Sequence, residues 1–202
     1  MNRILSVTVL AFAVVFLGVI VSGSNDRDEK DKRSNHAEDS RINRGLAIAP
    51  VRLTFKKKNR DLVGLGSYIV NAQGACNDCH SCPSYAPGHD PYGPPFGPPG
   101  GADGRINSAN YLAGGVVFSP PGVTSANLTP DPVTGLPDGD HTFEQFVKLL
   151  RTGHDPDEPG RILQVMPWPI YRQMTDDDLR AVYEYLRAIP HADPGVCVAP
   201  GQ

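Results

Sequence analysis

The chain has 202 residues, which is enough for one domain with a proper core. Its apolar and charged contents are ordinary for a soluble protein, and its net charge of −3 by itself indicates neither an acidic nor a basic partner. Glycine and proline, at 21 and 20 residues, make up about a fifth of the chain and exclude regular structure over long stretches.

An apolar segment stands at the start of the chain. Residues 4–21 carry no charge, follow Arg3 and precede the small residues 22–24. This pattern predicts a signal peptide over residues 1–23. As a helix these apolar residues would span about 27 Å, so an uncleaved membrane anchor is the alternative. In both cases Arg3 predicts a periplasmic or other extracytoplasmic location for the rest of the chain.

Charge divides the remainder of the chain into two parts. Residues 25–60 hold 11 Lys and Arg against 6 Asp and Glu, whereas residues 61–202 hold 7 against 16. The almost wholly polar stretch 24–40 predicts disorder, and residues 24–60 are predicted to form a charged flexible tether. A solvated linker is the simpler role for it, and docking to a membrane surface or a partner is the alternative.

Three stretches have the periodicity of amphipathic helices, namely residues 61–74, 142–151 and 175–188. The second begins with a capping-box pattern at Thr142, and the third begins at Thr175 with three aspartates in its first turn. No convincing β pattern is present. A single set of helices predicts one domain.

The segment CNDCH, residues 76–80, has the C-x-x-C-H pattern of covalent haem attachment. On a helical turn Cys76 and Cys79 can reach the two vinyl groups of one porphyrin, and His80 can then direct its imidazole at the iron. One motif predicts one covalent haem c. A redox dithiol, or a zinc site that includes Cys82, would use the same residues. The crowding of Cys82 beside His80 and the lack of a βαβ pattern favour haem.

A second axial ligand to the iron must come from elsewhere in the chain. Met166 lies in the Pro-stiffened segment QVMPWP just before the last predicted helix, where a thioether can be held against the haem. Met174 is typical of a core residue, and His141 and His154, among Asp and Gly, are typical of surface residues. We therefore predict His80 and Met166 as the axial ligands of a closed, six-coordinate iron.

Residues 61–191 resemble the monohaem cytochrome c domains that accompany periplasmic alcohol, gluconate and aldehyde dehydrogenases. The resemblance rests on the Gly/Tyr-bearing helix before the haem motif, on CNDCH, and on two later segments, SANLTPDPVTGLPDGDHTFEQFVKLLRTGHDPD and GRILQVMPWPIYRQMTDDDLRAVYEYLRAIP. It implies a small all-α cytochrome c fold in which the first and last helices cross near Gly66 and Tyr183.

The resemblance also implies what surrounds the haem and what the chain binds. Met166 would be the distal ligand, Trp168 and Tyr171 would lie beside the macrocycle, and Arg161 would pair with a haem propionate. The implied partner is a redox protein, either a dehydrogenase or an oxidase, and no nucleic acid is expected. Because the haem domain is acidic, we expect a basic docking patch on that partner and binding that weakens as salt rises.

Two features depart from the family pattern. The Pro/Gly-rich residues 83–104 form an insertion that is predicted to be irregular. Cys82 and Cys197, in the C-terminal tail 192–202, remain after haem attachment. Because exported proteins permit disulfides, we predict a bridge between these two cysteines, with two free thiols as the alternative.

Together, the motif, the predicted iron ligands and the resemblance predict an electron carrier rather than an enzyme. It would transfer one electron at a time outside the cytoplasm, free or as the electron-transfer subunit of a dehydrogenase or respiratory complex. Residues 4–21 would allow membrane association. The alternatives are a peroxidase-like haem enzyme with an open iron site, and a structural or assembly subunit of a membrane complex.

Overall fold

A computed structural model describes the backbone of residues 5–56, 58–92, 102–120 and 122–198, and within these ranges the side chains of residues 27–197. The chain divides into two compact units, Met1–Ser40 and Arg41–Gln202. The described helices are α1 (Leu5–Ile48), α2 (Arg60–Tyr68), α3 (Cys76–His80), α4 (Phe143–Thr152), α5 (Trp168–Tyr171) and α6 (Asp176–Leu186), and the strands are β1 (Val116–Phe118), β2 (Val123–Thr124) and β3 (Cys197–Val198).

The charged segment after the apolar start is helical as far as Ile48, whereas disorder was predicted for residues 24–40. Helix α1 continues through this segment to Ile48. Residues 24–44 contain neither Gly nor Pro, and their closely mixed charges allow pairs one helical turn apart. Glu29 and Arg33 form such a pair at 3.1 Å. Pairs of this kind stabilise a helix that has no apolar face of its own.

The predicted signal peptide or anchor, residues 1–23, lies outside the part of the chain whose side chains are described. Within the described part, no helix combines the length and the apolar character that are needed to cross a membrane. Cleavage and anchoring therefore both stay predictions.

The core of the second unit is formed by α2, α4 and α6. The first predicted helix, over residues 61–74, is present as α2 followed by a π-helical turn, Ile69–Gln73. Apolar positions three and four apart place one side of each helix in the core, where they bury Val63, Leu65, Ile69, Val70, Phe146, Leu149, Leu150, Leu179, Val182 and Leu186.

The close contact between α2 and α6 occurs at Gly66. A Cβ atom on Gly66 would lie 1.9 Å from the carbonyl oxygen of Ala181 and 2.7 Å from Cβ of Tyr185. The predicted crossing at Gly66 is thus confirmed on the α2 side. On the α6 side Ala181 and Tyr185 are nearest to it, while Tyr183 packs against Phe143 and Phe146.

We expect Gly66→Ala to lower the free energy of unfolding by about 3 kcal/mol, since the added methyl group overpacks a backbone contact that cannot yield without separating two helices. This loss opposes the gain of up to ~1 kcal/mol that alanine normally brings to a helix interior. Chemical denaturation measures the change. Gly160→Ala is the matched control, because a Cβ there meets no atom within 4 Å, and similar losses for both variants would contradict the prediction.

Both later helices begin as their sequences predict. The Thr142 hydroxyl accepts from the backbone N–H of Gln145, and the Thr142 N–H donates to the side-chain oxygen of Gln145. Thr175 and Asp178 form the same reciprocal cap on α6. The short helix α5 starts within the Pro-stiffened segment QVMPWP. Its single turn directly follows Pro167, and Pro169 stands within its first turn.

A small sheet, which the sequence did not indicate, holds the C-terminal tail. Strand β1 pairs antiparallel with β2 and parallel with β3, in the order β2-β1-β3. Each strand has only two or three residues, too few for an alternating pattern. The predicted bridge between Cys82 and Cys197 is confirmed, with the two Cα atoms 5.8 Å apart.

The described ends of the Pro/Gly-rich insertion pair with each other, since the Gly104 N–H donates to the His89 carbonyl at 3.2 Å. Tyr85 also forms a β-bridge with Ile106, just after the insertion. Its middle, residues 93–101, lies outside the described residues. At its base the Tyr85 hydroxyl donates to the Asp78 carboxylate at 2.7 Å, and the Asn77 amide donates to the Ser84 carbonyl at 3.2 Å. The insertion therefore braces the CNDCH segment.

Candidate haem site

A cavity of about 770 Å³ lies inside the second unit. Much of its wall is apolar and comes from the π-helical turn, α4 and α6, through Ile69, Val70, Phe146, Leu149, Leu150, Leu179, Val182 and Leu186. The predicted attachment residues and the predicted distal ligand line the same cavity: Cys76, Cys79, His80 and Met166. Residues separated by about ninety positions in the chain therefore share one site.

The two cysteines of the motif lie on α3 as half-buried free thiols. Burial raises the pKa of the Cys76 thiol to about 12, and burial also raises the pKa of Cys79. A redox dithiol needs a readily formed thiolate, which this environment opposes. Cys82 is bonded to Cys197, so the four-ligand zinc site that would use Cys82 is not formed.

His80 is held in one tautomer by a backbone group. Its Nδ1 lies 2.9 Å from the carbonyl oxygen of Ala126. Because a carbonyl only accepts, Nδ1 carries the proton and Nε2 keeps its lone pair for a metal. Burial lowers the pKa of His80, which favours the neutral ring. Sequence reasoning could not find Ala126, since its contribution is a main-chain oxygen.

Both candidate methionines reach the cavity. Met166 is half-buried and precedes Pro167, and Met174 packs against the same core near the start of α6. Tyr171 also lines the cavity, and its hydroxyl donates to the Gly74 carbonyl at 2.8 Å. This bond ties α5 to the segment that leads into the haem motif.

The contacts of Trp168 and Arg161 differ from those that the resemblance implies, which are the macrocycle for Trp168 and a haem propionate for Arg161. The Trp168 indole is not among the residues that line the cavity; it lies over Gly153 and donates to the Leu163 carbonyl at 3.2 Å. Arg161 does line the cavity, but its guanidinium already pairs with Asp155 at 2.7 Å and Glu158 at 3.5 Å.

The expectation that His141 lies on the surface is wrong. This residue is only 5% exposed and lines the cavity. Its neighbours in the chain, Asp and Gly, suggested a surface loop, but the chain folds them around the ring. His154, at the other end of α4, is exposed as expected and contacts the Pro159 carbonyl at 3.1 Å.

These observations fit a haem group. The cavity volume lies in the range of about 300–1,000 Å³ that is usual for cofactor pockets. Its wall combines an apolar surface with two free thiols, a neutral imidazole with an available nitrogen, and a thioether. Cytochromes c with His/Met ligation use this donor set.

Comparison with known proteins shows what this chain is similar to. It is 33% identical over 106 residues to the fructose dehydrogenase cytochrome subunit of Gluconobacter japonicus, covering 52% of this chain and 21% of the relative. It is 40% identical over 76 residues to the cytochrome c subunit of a quinone alcohol dehydrogenase of Gluconobacter oxydans (strain 621H), covering 37% and 15%. With the gluconate 2-dehydrogenase cytochrome c subunit of Pantoea cypripedii it shares 32% over 136 residues, covering 66% and 24%.

The similarity to cytochrome c subunits of dehydrogenases, which the sequence motifs predicted, is thereby confirmed. A cytochrome c carries haem c, so these relatives support that cofactor. The chain spans a quarter or less of the length of these relatives. No protein-family model matches the chain.

Proposed function

We propose that this chain is an electron-transfer cytochrome c that holds one haem c through Cys76 and Cys79 and works outside the cytoplasm. The observation that carries the proposal is the position of the CNDCH segment at the wall of an apolar cavity that also contains Met166. The single motif in the chain supports one haem.

Each residue of the site has a distinct part in this proposal. Cys76 and Cys79 would hold the haem by thioether bonds, and His80, oriented by the Ala126 carbonyl, would bind its iron. Met166 would supply a second iron ligand. When bound, the haem would supply an iron that accepts and releases one electron. The apolar wall excludes water, and two protein ligands on the iron would favour electron transfer over substrate binding.

The partner in this proposal is a dehydrogenase, because the relatives are named as cytochrome subunits of fructose, alcohol and gluconate dehydrogenases. The chain acts as a carrier beside such an enzyme, free or as its subunit, with residues 4–21 as a possible membrane attachment. Residues 61–202 carry 7 basic and 16 acidic side chains, which complements a basic docking patch on the partner.

The proposal is tested by producing the full chain in a host that matures c-type cytochromes and measuring its intact mass after denaturation. We expect the mass of the polypeptide to be increased by that of one haem. The same measurement shows whether residues 1–23 have been removed. A denatured chain without attached haem would overturn the proposal. Rapid cyanide binding by the ferric protein would instead favour the haem enzyme with an open iron site.

Replacing Met166 with alanine is expected to remove the weak far-red sulfur-to-iron absorption of the ferric protein. It should also lower the midpoint potential by on the order of 0.1 V or more, since axial ligands tune haem potentials over about 0.8 V. Met174→Ala is the matched control, because Met174 also lines the cavity. If the band persists in Met166→Ala and disappears in Met174→Ala, Met174 is the ligand and the assignment is wrong.

A further inference from the structure

One part of the cavity wall is polar. Two loops form it, one before α4 and one after it, and their side chains cluster closely. A ring nitrogen of His141 and one carboxylate oxygen from each of Asp155 and Asp157 all lie within 4.8 Å of one another. Arg161, which pairs with Asp155 at 2.7 Å, belongs to the same group. Haem is apolar except for its two carboxylates, which need cationic or hydrogen-bonding partners, so the cationic groups of this wall are the candidates to bind them.

The described cavity wall offers few cationic groups for a carboxylate. They are His80, His141 and Arg161. His80 serves the iron in the proposed function, and Arg161 is already neutralised by Asp155 and Glu158. His141 remains. Its side chain is 6% exposed, and neither ring nitrogen has a hydrogen-bond partner. A buried polar group without a hydrogen-bond partner destabilises the fold unless something binds it.

Two carboxylates lie near the His141 ring, but neither is at hydrogen-bonding distance. Nδ1 lies 3.5 Å from the buried Asp138 carboxylate, and Nε2 lies 3.4 Å from that of the exposed Asp157. Both separations are long for hydrogen bonds, so the attraction is that of ion pairs. Asp138, followed by Asp157, raises the pKa of His141 against the opposing effect of burial.

The other groups near His141 do not replace these carboxylates. Asp155 and Arg161 neutralise each other in the loop after α4. From α6 the Tyr183 hydroxyl donates to the His141 main-chain carbonyl at 2.9 Å and leaves the ring untouched. The charge of the ring is therefore governed by Asp138, by Asp157 and by whatever occupies the cavity.

We propose that His141 binds a haem carboxylate through its ring and gains a proton when the iron is reduced. This inference rests on the proposed function, because it requires haem in the cavity. It replaces Arg161 with His141 as the carboxylate partner. Asp138 then acts as a positioning residue that orients the ring and stabilises its protonated form.

The coupling has a definite sign. Reduction adds one electron to the iron, and the ring takes one proton from solvent, so the two charges added to the site balance. A protonated His141 disfavours the more positive ferric iron and so raises the midpoint potential. Loss of the proton lowers it. Protonation of His141 and reduction of the iron are thermodynamically linked. The midpoint potentials with His141 protonated and deprotonated therefore fix the ratio of its acid dissociation constants in the ferric and ferrous states.

The test compares the full-length haem protein with His141→Gln across pH 5–9 by potentiometric titration. We expect the wild-type potential to fall as pH rises through the pKa of His141, and the variant to lose most of that fall. His154→Gln is the matched control, since His154 lies at the other end of α4 and does not line the cavity. It should behave as wild type.

NMR titration of the wild-type His141 ring in both oxidation states gives a second readout that needs no variant. We expect its acid dissociation constant to be about tenfold larger in the ferric protein. An unchanged constant, or a His141→Gln protein that keeps the wild-type pH dependence, overturns the inference while attached haem upholds the proposed function. If no haem is attached, the proposed function itself has failed.

Discussion

A chain in which both Cys76 and Cys79 are replaced by alanine is expected to retain no haem after denaturation. Each thiol adds its sulfur and its hydrogen across one vinyl double bond, so no covalent link can form without the two sulfurs. The proposed iron ligands His80 and Met166 would still allow reversible binding in the apolar cavity. Haem staining after denaturing electrophoresis measures the attached fraction, and the intact mass confirms it.

Single replacements and a distant pair of cysteines serve as controls for this result. Cys76→Ala and Cys79→Ala should each keep one thioether and a reduced fraction of attached haem. The double variant Cys82→Ser, Cys197→Ser should keep full attachment, because those sulfurs are bonded to each other. Full staining of the Cys76→Ala, Cys79→Ala chain would show that other residues hold the haem.

Removal of the Cys82–Cys197 disulfide is expected to cost about 4–5 kcal/mol in the free energy of unfolding. The bridge closes a loop with a sequence separation of 115 residues, and cross-links that close long loops restrict the unfolded chain most. The tail also packs closely in the folded state, since a Cβ on Gly195 would lie 1.8 Å from the Cys82 carbonyl oxygen. Loss of the bridge would release that contact.

Denaturation of the haem-loaded Cys82→Ser, Cys197→Ser protein measures this cost against wild type. Alanine at exposed Val196, which is 91% exposed in the same tail, is a control that should change stability by less than about 0.5 kcal/mol. Alkylation of both thiols in the native, non-reduced wild-type protein would contradict the bridge. Unaltered stability of the double variant would show that the unfolded chain is constrained by other means.

The helices and their starting points could be predicted from local sequence. Thr142 and Thr175 cap α4 and α6 through bonds that span only three residues, so neighbouring residues suffice to specify them. The small sheet could not be predicted, because β1 and β3 are about eighty residues apart and too short to show a pattern. The helical form of residues 24–48 could not be predicted, because this charged segment lacks apolar periodicity and depends on pairs such as Glu29–Arg33.

The CNDCH segment is a local property of the sequence, since the spacing of its two thiols and its imidazole predicts haem attachment whatever surrounds them. Met166 could likewise be predicted as a ligand from local sequence, because neighbouring prolines stiffen its segment. The surroundings of the site are a long-range property. The Ala126 carbonyl that orients His80, the carboxylates that occupy Arg161, and the burial of His141 all depend on loops that meet only after folding. Electrostatic fields and burial are set by distance in space, which a linear sequence does not contain.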